Sequence, residues 1–176
     1  MSRDEFISEE QLAKISLPAE EAYNLPKAAY VSEHIFKQES KHLFKANWVN
    51  VAHISQLVKP GDYLSIDVFD YPLLLTRDKN NDIHLMSRVC QHKGTLIAKG
   101  SGNAHIFVCP FHAWSYGLDG KLKAAPLMDK TKGFDRKDCR LTQLRMEIWE
   151  GFIFVNISGD AEPLSPQLTD LKKILA

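Results

Sequence analysis

The sequence lacks most of the features that would commit it to a membrane, a polyanion or an oxidising compartment. Lys+Arg and Asp+Glu both number 22, so the formal net charge is zero. We find no basic stripe interleaved with aromatics, which excludes the usual nucleic-acid footprint. No apolar run approaches the length of a membrane span. The N-terminus, MSRDEFISEEQLAK, is acidic and polar and has no apolar core of the kind a secretory signal needs. There are only three cysteines, an odd number and a poor basis for a disulfide framework. A cytoplasmic location is therefore the expectation. Internal repeats and low-complexity tracts are absent.

What is present is an ordinary globular composition, 44% hydrophobic and 25% charged over 176 residues, enough to bury a core without metal or disulfide support. Residues 1–28 read as an arm containing a short helix around SEEQLAKI. SEHIFKQESKHLF reads as a helix, with Ser32 as cap and Ile35, Phe36, Leu43 and Phe44 at roughly helical spacing. From there the texture changes to short apolar or alternating runs divided by Gly, Pro, Asp and Asn: WVNVAHI, YLSIDVF, LLLTR, IHLMS, HIFVC, WSYGLDGKL, LTQLRMEIWE and GFIFVNI. LDGK inside the sixth is a hairpin signal. Such a series predicts a mostly β fold, an antiparallel sandwich or barrel, with the N-terminal helix packed on it. The tail LSPQLTDLKKILA reads as a short helix. We divide the chain into an N-terminal arm and helix (1–45), a β domain (46–160) and a C-terminal tail (161–176).

Two of the three cysteines fall into one pattern. Cys90 precedes His92 by two positions, Cys109 precedes His112 by three, and sixteen residues lie between the pairs. A lone Cys or His is usually a packing residue. Two Cys–His pairs, each at the end of an expected strand, place four soft or borderline ligands on two loops that can face each other. Tetrahedral zinc accepts this donor set. Zinc sites, however, favour Cys pairs about two to four residues apart and His pairs about three to five apart, whereas Cys and His alternate here. A binuclear centre relieves the crowding, with both Cys on one iron and both His on the other, the Rieske [2Fe–2S] arrangement.

CQH followed after sixteen residues by CPFHAWSYG resembles the Rieske signature, and more narrowly that of the α (oxygenase) subunits of Rieske non-haem iron aromatic-ring-hydroxylating oxygenases. LPKAAYVSEHIFKQESKHLFKANWVNVAHISQL, PGDYLSIDVFDYPLLLTRDKNNDIHLMSRVCQHKG, GLDGKLKAAPLM, FDRKDCRL and EIWEGFIFVNI also resemble that family. The likeness runs over roughly residues 25–170. It implies Cys90, His92, Cys109 and His112 as ligands of a [2Fe–2S] cluster, with Trp114, Tyr116, Lys93 and Pro110 around them. Two positions depart from the family pattern: Ala113 replaces the usual Gly and Lys93 a common Arg.

The resemblance carries further expectations. Two neutral imidazoles in place of two thiolates make the cluster less negative, so Rieske potentials lie at about −150 to +300 mV against about −400 mV for plant-type clusters. High-potential members carry a Ser shortly after the second His and a disulfide between the loops. Here Trp114 and Pro110 occupy the corresponding positions, which implies a potential toward the negative end. Trp114 would cover the cluster from water. Tyr116 would either pack in the core or donate its hydroxyl toward a cluster-side sulfur. The free ring nitrogens of His92 and His112 would exchange protons with the redox state, making the potential pH-dependent in the alkaline range. In the family the electron passes to a mononuclear Fe(II) held by a facial triad in a catalytic domain. The histidines here offer no such triad, so no residue is assigned as catalytic and any enzymatic role needs that further domain. The expected function is the electron-relay domain of an oxygenase α subunit, with a ferredoxin or reductase as donor and the catalytic domain in cis or on a neighbouring subunit of a homotrimer. A free-standing Rieske ferredoxin and a structural zinc module are the alternatives. Cys139 is read as a free, partly buried thiol. His34, His42, His53, His84 and His105 are read as structural, though His105 is close enough in sequence to Cys109 to contact the ligands. Asp62, Asp78 and Asp119 are read as turn residues.

Overall fold

The computed structural model describes residues 7–175, which fall into two compact units divided between Ala46 and Asn47. In the first, α1 (Glu9–Ile15) begins at Ser8, whose hydroxyl accepts from Gln11 N while the Gln11 side chain accepts from Ser8 N, a reciprocal capping box. After α2 (Lys27–Val31) comes α3 (Glu33–Glu39), capped by Ser32 as expected and running directly into a π-helical turn, Ser40–Phe44. The segment 33–44 is thus helical throughout, though its last turn is wound more loosely. None of its residues is fully buried: Ile35 and Phe44 are half-buried, and Phe36 and Leu43 are exposed.

The second unit is built of three antiparallel sheets. β1 (Trp48–His53), β10 (Phe152–Asn156) and β9 (Arg145–Trp149) form one, in the order β1-β10-β9. A second has the order β4-β3-β2-β5, from β2 (Asp62–Val68), β3 (Tyr71–Arg77), β4 (Ile83–Ser87) and β5 (Ser101–Asn103). The third joins β6 (Phe107–Val108), β7 (Ser115–Tyr116) and β8 (Leu122–Ala124). The tail forms two short helices rather than one, α4 (Leu164–Gln167) and α5 (Thr169–Leu175).

Side chains alternate across a strand, and β3 uses both of its faces. Leu73 and Leu75 pack with Ala52, Leu57, Leu85, Ile153 and Val155 in one core. Leu74, between them, packs with Met86, Cys90, Phe107, Cys109, Trp114 and Tyr116 in another. That explains the unbroken apolar run LLL: this strand is a wall shared by two cores, and all three leucines are fully buried. β4 divides in the same way, Leu85 to the first core and Met86 to the second. The expected LDGK hairpin forms, and β9 and β10 make a second. Gly117 N donates to Lys121 O across the LDGK turn (2.9 Å). Between β9 and β10, Glu150 and Gly151 both take positive φ (+47° and +85°), the geometry of a two-residue type I′ turn. A side chain at Gly151 would also collide with the His53 ring.

Candidate metal centre

β4 delivers the first ligand loop and the β6–β7 hairpin the second, and the two loops share one backbone design. Cys90 N donates to Thr95 O (2.9 Å) and Gly94 N to Cys90 O (3.0 Å). Cys109 N donates to Trp114 O (2.7 Å) and Ala113 N to Cys109 O (3.0 Å). In both, the cysteine amide reaches five residues on, and the residue four on turns back in the left-handed region: Gly94 at φ +75° and Ala113 at φ +57°. Ala113 therefore stands where its counterpart loop uses Gly.

Both cysteines are buried, and neither is in a disulfide. They belong to the same core. Burial pushes the Cys90 thiol pKa up, but hydrogen bonds from the Tyr116 hydroxyl, the amides of His92 and Lys93, and the Cys109 side chain outweigh it, so the net direction is down. This sulfur sits where donors are already gathered around a negative charge. The Tyr116 hydroxyl is 3.3 Å from Cys90 Sγ and accepts from Gln91 N at 3.0 Å. Burial, and then its bond to Cys90, hold the phenol well above its usual pKa, so it remains a donor.

The histidines form the outer half. Their rings meet edge to face with centroids 4.7 Å apart. Trp114 lies flat against His92, at 4.7 Å and an interplanar angle of 9°, and the Phe134 ring contacts Trp114 at 5.6 Å, tilted by 59°. Phe111, exposed, stacks on His112 at 3.9 Å. Burial, followed by the neighbouring charges of His112 and Lys93, lowers the His92 pKa and keeps its ring neutral, the form that ligates metal. His92 Nδ1 is buried and has no hydrogen-bond partner among the described residues. A buried imidazole nitrogen without a partner is costly unless something else binds it. Two adjacent thiols, two facing imidazoles and this unpartnered nitrogen fit a group that takes sulfur on one side and nitrogen on the other. Among the described residues, no three His, Cys, Asp or Glu side chains gather in a way that could hold one metal ion.

The remaining candidates take ordinary places. Lys93 and Pro110 are exposed on the two loops. His105 is exposed and is not among the residues packed around the cysteines. His34 and His42 lie on the helical segment, and His53 caps a short 3₁₀ turn after β1. His84 pairs with Asp78 at 3.1 Å. Asp62, Asp78 and Asp119 each accept from a turn amide, those of Lys59, Asn80 and Lys121. Cys139 is half-buried, and burial, then Asp138 and Asp135, push its thiol pKa up.

Three residues of the site went unread in the sequence. Phe111 and Phe134 supply ring contacts. Arg88, two residues before Cys90, is buried and bonds Asp67 (2.5 Å) and the Ala98 carbonyl (3.3 Å), bracing the first loop. A cation inside the run LMSRV, just before Cys90, was the available signal.

Comparison with known proteins agrees with this geometry. The family model for the Rieske [2Fe-2S] domain matches residues 47–135. The chain is 33% identical over 155 residues to the carnitine monooxygenase oxygenase subunit of Acinetobacter pittii, covering 88% of this chain and 42% of that protein. It is 30% identical over 161 residues to the anthranilate 1,2-dioxygenase large subunit of Acinetobacter baylyi, covering 90% and 34%. A crystal structure of a quaternary ammonium Rieske monooxygenase superposes with a TM-score of 0.80 at 33% identity, covering 88% of this chain and 42% of that one. The naphthalene 1,2-dioxygenase of a Rhodococcus species gives 0.80 at 26% identity, covering 86% and 35%. The chain thus spans less than half the length of these relatives, and they are not confined to enzymes of aromatic rings. With two buried cysteines, two facing histidines and this match, the chain belongs to the Rieske [2Fe-2S] domain family.

Proposed function

We propose that Cys90 and Cys109 hold one iron of a [2Fe–2S] cluster and His92 and His112 the other, and that the domain relays single electrons to a mononuclear iron site in an oxygenase. When bound, the cluster supplies a one-electron store at a potential within the Rieske range. The single observation that carries this reading is the segregation of the donor set. Two thiols share the buried core, two imidazoles meet in the outer half, and no three ligands converge among the described residues. A single tetrahedral zinc would need four at one point.

The chain's own residues prepare the site. Tyr116 and the amides after Cys90 hold donors toward sulfur. Trp114 lies flat over His92 and excludes water from that side. His112 is exposed beneath Phe111 and presents the outer face of the domain to an acceptor. The donor would be a ferredoxin or reductase and the acceptor a catalytic domain in cis or on a neighbouring subunit. Substrate choice would rest with that domain. Purified protein should contain two irons and two acid-labile sulfides per chain, a stoichiometry set by the cluster itself. Its reduced form should show an EPR signal of low average g. Zinc, or iron without labile sulfide, refutes the reading.

A further inference from the structure

The zero net charge hides a division along the chain. Between Arg88 and Arg140 ten Lys and Arg stand against four Asp and no Glu, a net +6, so the remainder carries −6. From Arg88 to Leu118, through both ligand loops, there is no acidic residue at all. Part of this excess collects where β8 meets the 3₁₀ turn Arg136–Cys139. An open cleft of about 270 Å³ there is lined by Lys121, Leu122, Arg136, Lys137 and Arg140. All four cations are exposed. Asp119 lies 3.2 Å from Lys121, and Asp129 lies 3.2 Å from Arg136. Among the described residues no carboxylate pairs with Lys137 or Arg140, and Arg140 donates to the Asp119 carbonyl at 2.9 Å.

Exposed cations on an open face suit another macromolecule better than a small anion, which needs enclosed donors. The face is also joined to the metal centre. Phe134, two residues before Arg136, packs on Trp114, and Trp114 lies flat on His92. From the cationic segment to a candidate ligand there are only two ring contacts. We infer that this face docks an electron donor with an acidic surface, a ferredoxin-type one-electron iron–sulfur carrier, seated over Arg136–Arg140 with Phe134 and Trp114 between it and His92. The inference rests on the electron-transfer reading above. One electron leaves the reduced carrier for each one the domain accepts, and no covalent bond changes. Complementary charge of this kind acts on encounter rate and is steeply salt-dependent.

The test uses the iron–sulfur-loaded full chain and, as probe, a purified plant-type [2Fe–2S] ferredoxin of strongly negative net charge. Binding is read by isothermal titration and electron transfer by stopped-flow at several salt concentrations. The triple variant Lys121→Glu, Arg136→Glu, Lys137→Glu should weaken binding and slow reduction by at least about tenfold and flatten the salt dependence. A control, Lys14→Glu, Lys37→Glu, Lys79→Glu, makes the same charge change elsewhere and should alter both by less than about threefold. The neutral set Lys121→Gln, Arg136→Gln, Lys137→Gln should fall between, and an unchanged EPR signal shows that each variant is folded. Equal losses in both triples, no loss in the cleft triple, no binding by the unsubstituted chain, or equal binding of an oligonucleotide would each overturn the docking site. An unsubstituted chain without the EPR signal would instead refute the electron-transfer reading.

Discussion

Replacing Tyr116 by Phe removes one oxygen from a fully buried side chain and leaves the ring packing intact. The lost contact is the 3.3 Å bond to Cys90 Sγ. Hydrogen bonds to charged groups are worth about 1.5–3 kcal/mol. Only the difference between redox states moves the potential. The added electron makes the sulfur more negative, so the bond is stronger in the reduced form. If about half of the bond responds to that charge, the reduced form loses ~0.7–1.5 kcal/mol relative to the oxidised. For one electron, 59 mV corresponds to about 1.4 kcal/mol, so the midpoint should fall by about 30–60 mV. The unsubstituted chain should itself titrate toward the negative end of the range of about −150 to +300 mV. The Gln91 amide also loses its acceptor, but Gln91 is exposed and water can replace it. The assay is a redox titration at fixed pH followed by circular dichroism, with the iron and sulfide content of both proteins matched. A shift under about 10 mV, or an upward one, would refute a hydroxyl that donates to the cluster side of Cys90.

Two further substitutions test the frame around the site. Ala113→Gly should stabilise the protein, because Ala113 sits at φ +57° and a left-handed backbone costs a residue with a Cβ about 1–2 kcal/mol. The greater freedom of Gly in the unfolded chain offsets part of that, leaving a net gain of about 0.5–1 kcal/mol, or a melting rise of roughly 1–4 °C. A fall in melting temperature would show that the methyl group packs usefully. Asp78→Asn tests the turn before β4. Burial opposes the charge on Asp78, but the hydrogen bonds from His84 and from the amides of Asn80 and Asp82 outweigh it and hold the carboxyl below its usual pKa. A depressed folded pKa gives stability that is complete above the unfolded value of about 3.9 and is lost as pH falls below it. The variant should therefore cost about 1–2 kcal/mol at neutral pH in urea unfolding, and the gap should close below about pH 4. A gap that stays constant down to pH 3 would remove Asp78 from the acid limb.

Most of the β architecture was legible because burial on sheets leaves a period of two and turns leave Gly, Pro, Asp and Asn. WVNVAHI, YLSIDVF, IHLMS and GFIFVNI all became strands. The misses have separate causes. β5, Ser101–Gly102–Asn103, is exposed along its whole length and pairs only with the start of β2, so neither apolar pattern nor β propensity marked it. HIFVC shortened to Phe107–Val108 because the chain must leave the sheet to form the ligand loop at Cys109. LLLTR was legible as a strand but not as the wall between two cores, because an apolar run does not say how many faces it buries for.

The four candidate ligands were legible because their residue types are rare in the chain and fall in two spaced pairs. The loops that carry them were not, because the signal lies in the backbone. CQHKGT and CPFHAW share no pattern as strings: the histidine is two residues after the cysteine in one and three in the other. Yet each cysteine amide closes a bond five residues on, and each fifth residue of the loop, Gly94 or Ala113, has positive φ. The loops are one turn used twice, with the imidazole set at neighbouring positions on it. Seen this way, Ala113 is a strained occupant of a place that favours glycine, retained although Gly94 shows the easier choice. Its methyl group adjoins His112 in sequence, on the exposed outer half, whereas Gly94 follows Lys93 with nothing within 4 Å of where a Cβ would stand. If the strain serves the site, Ala113→Gly should raise the melting temperature and at the same time broaden the EPR signal of the reduced protein, as the second loop gains freedom around His112. A variant that is more stable with an unchanged spectrum would show the alanine to be strain without a role.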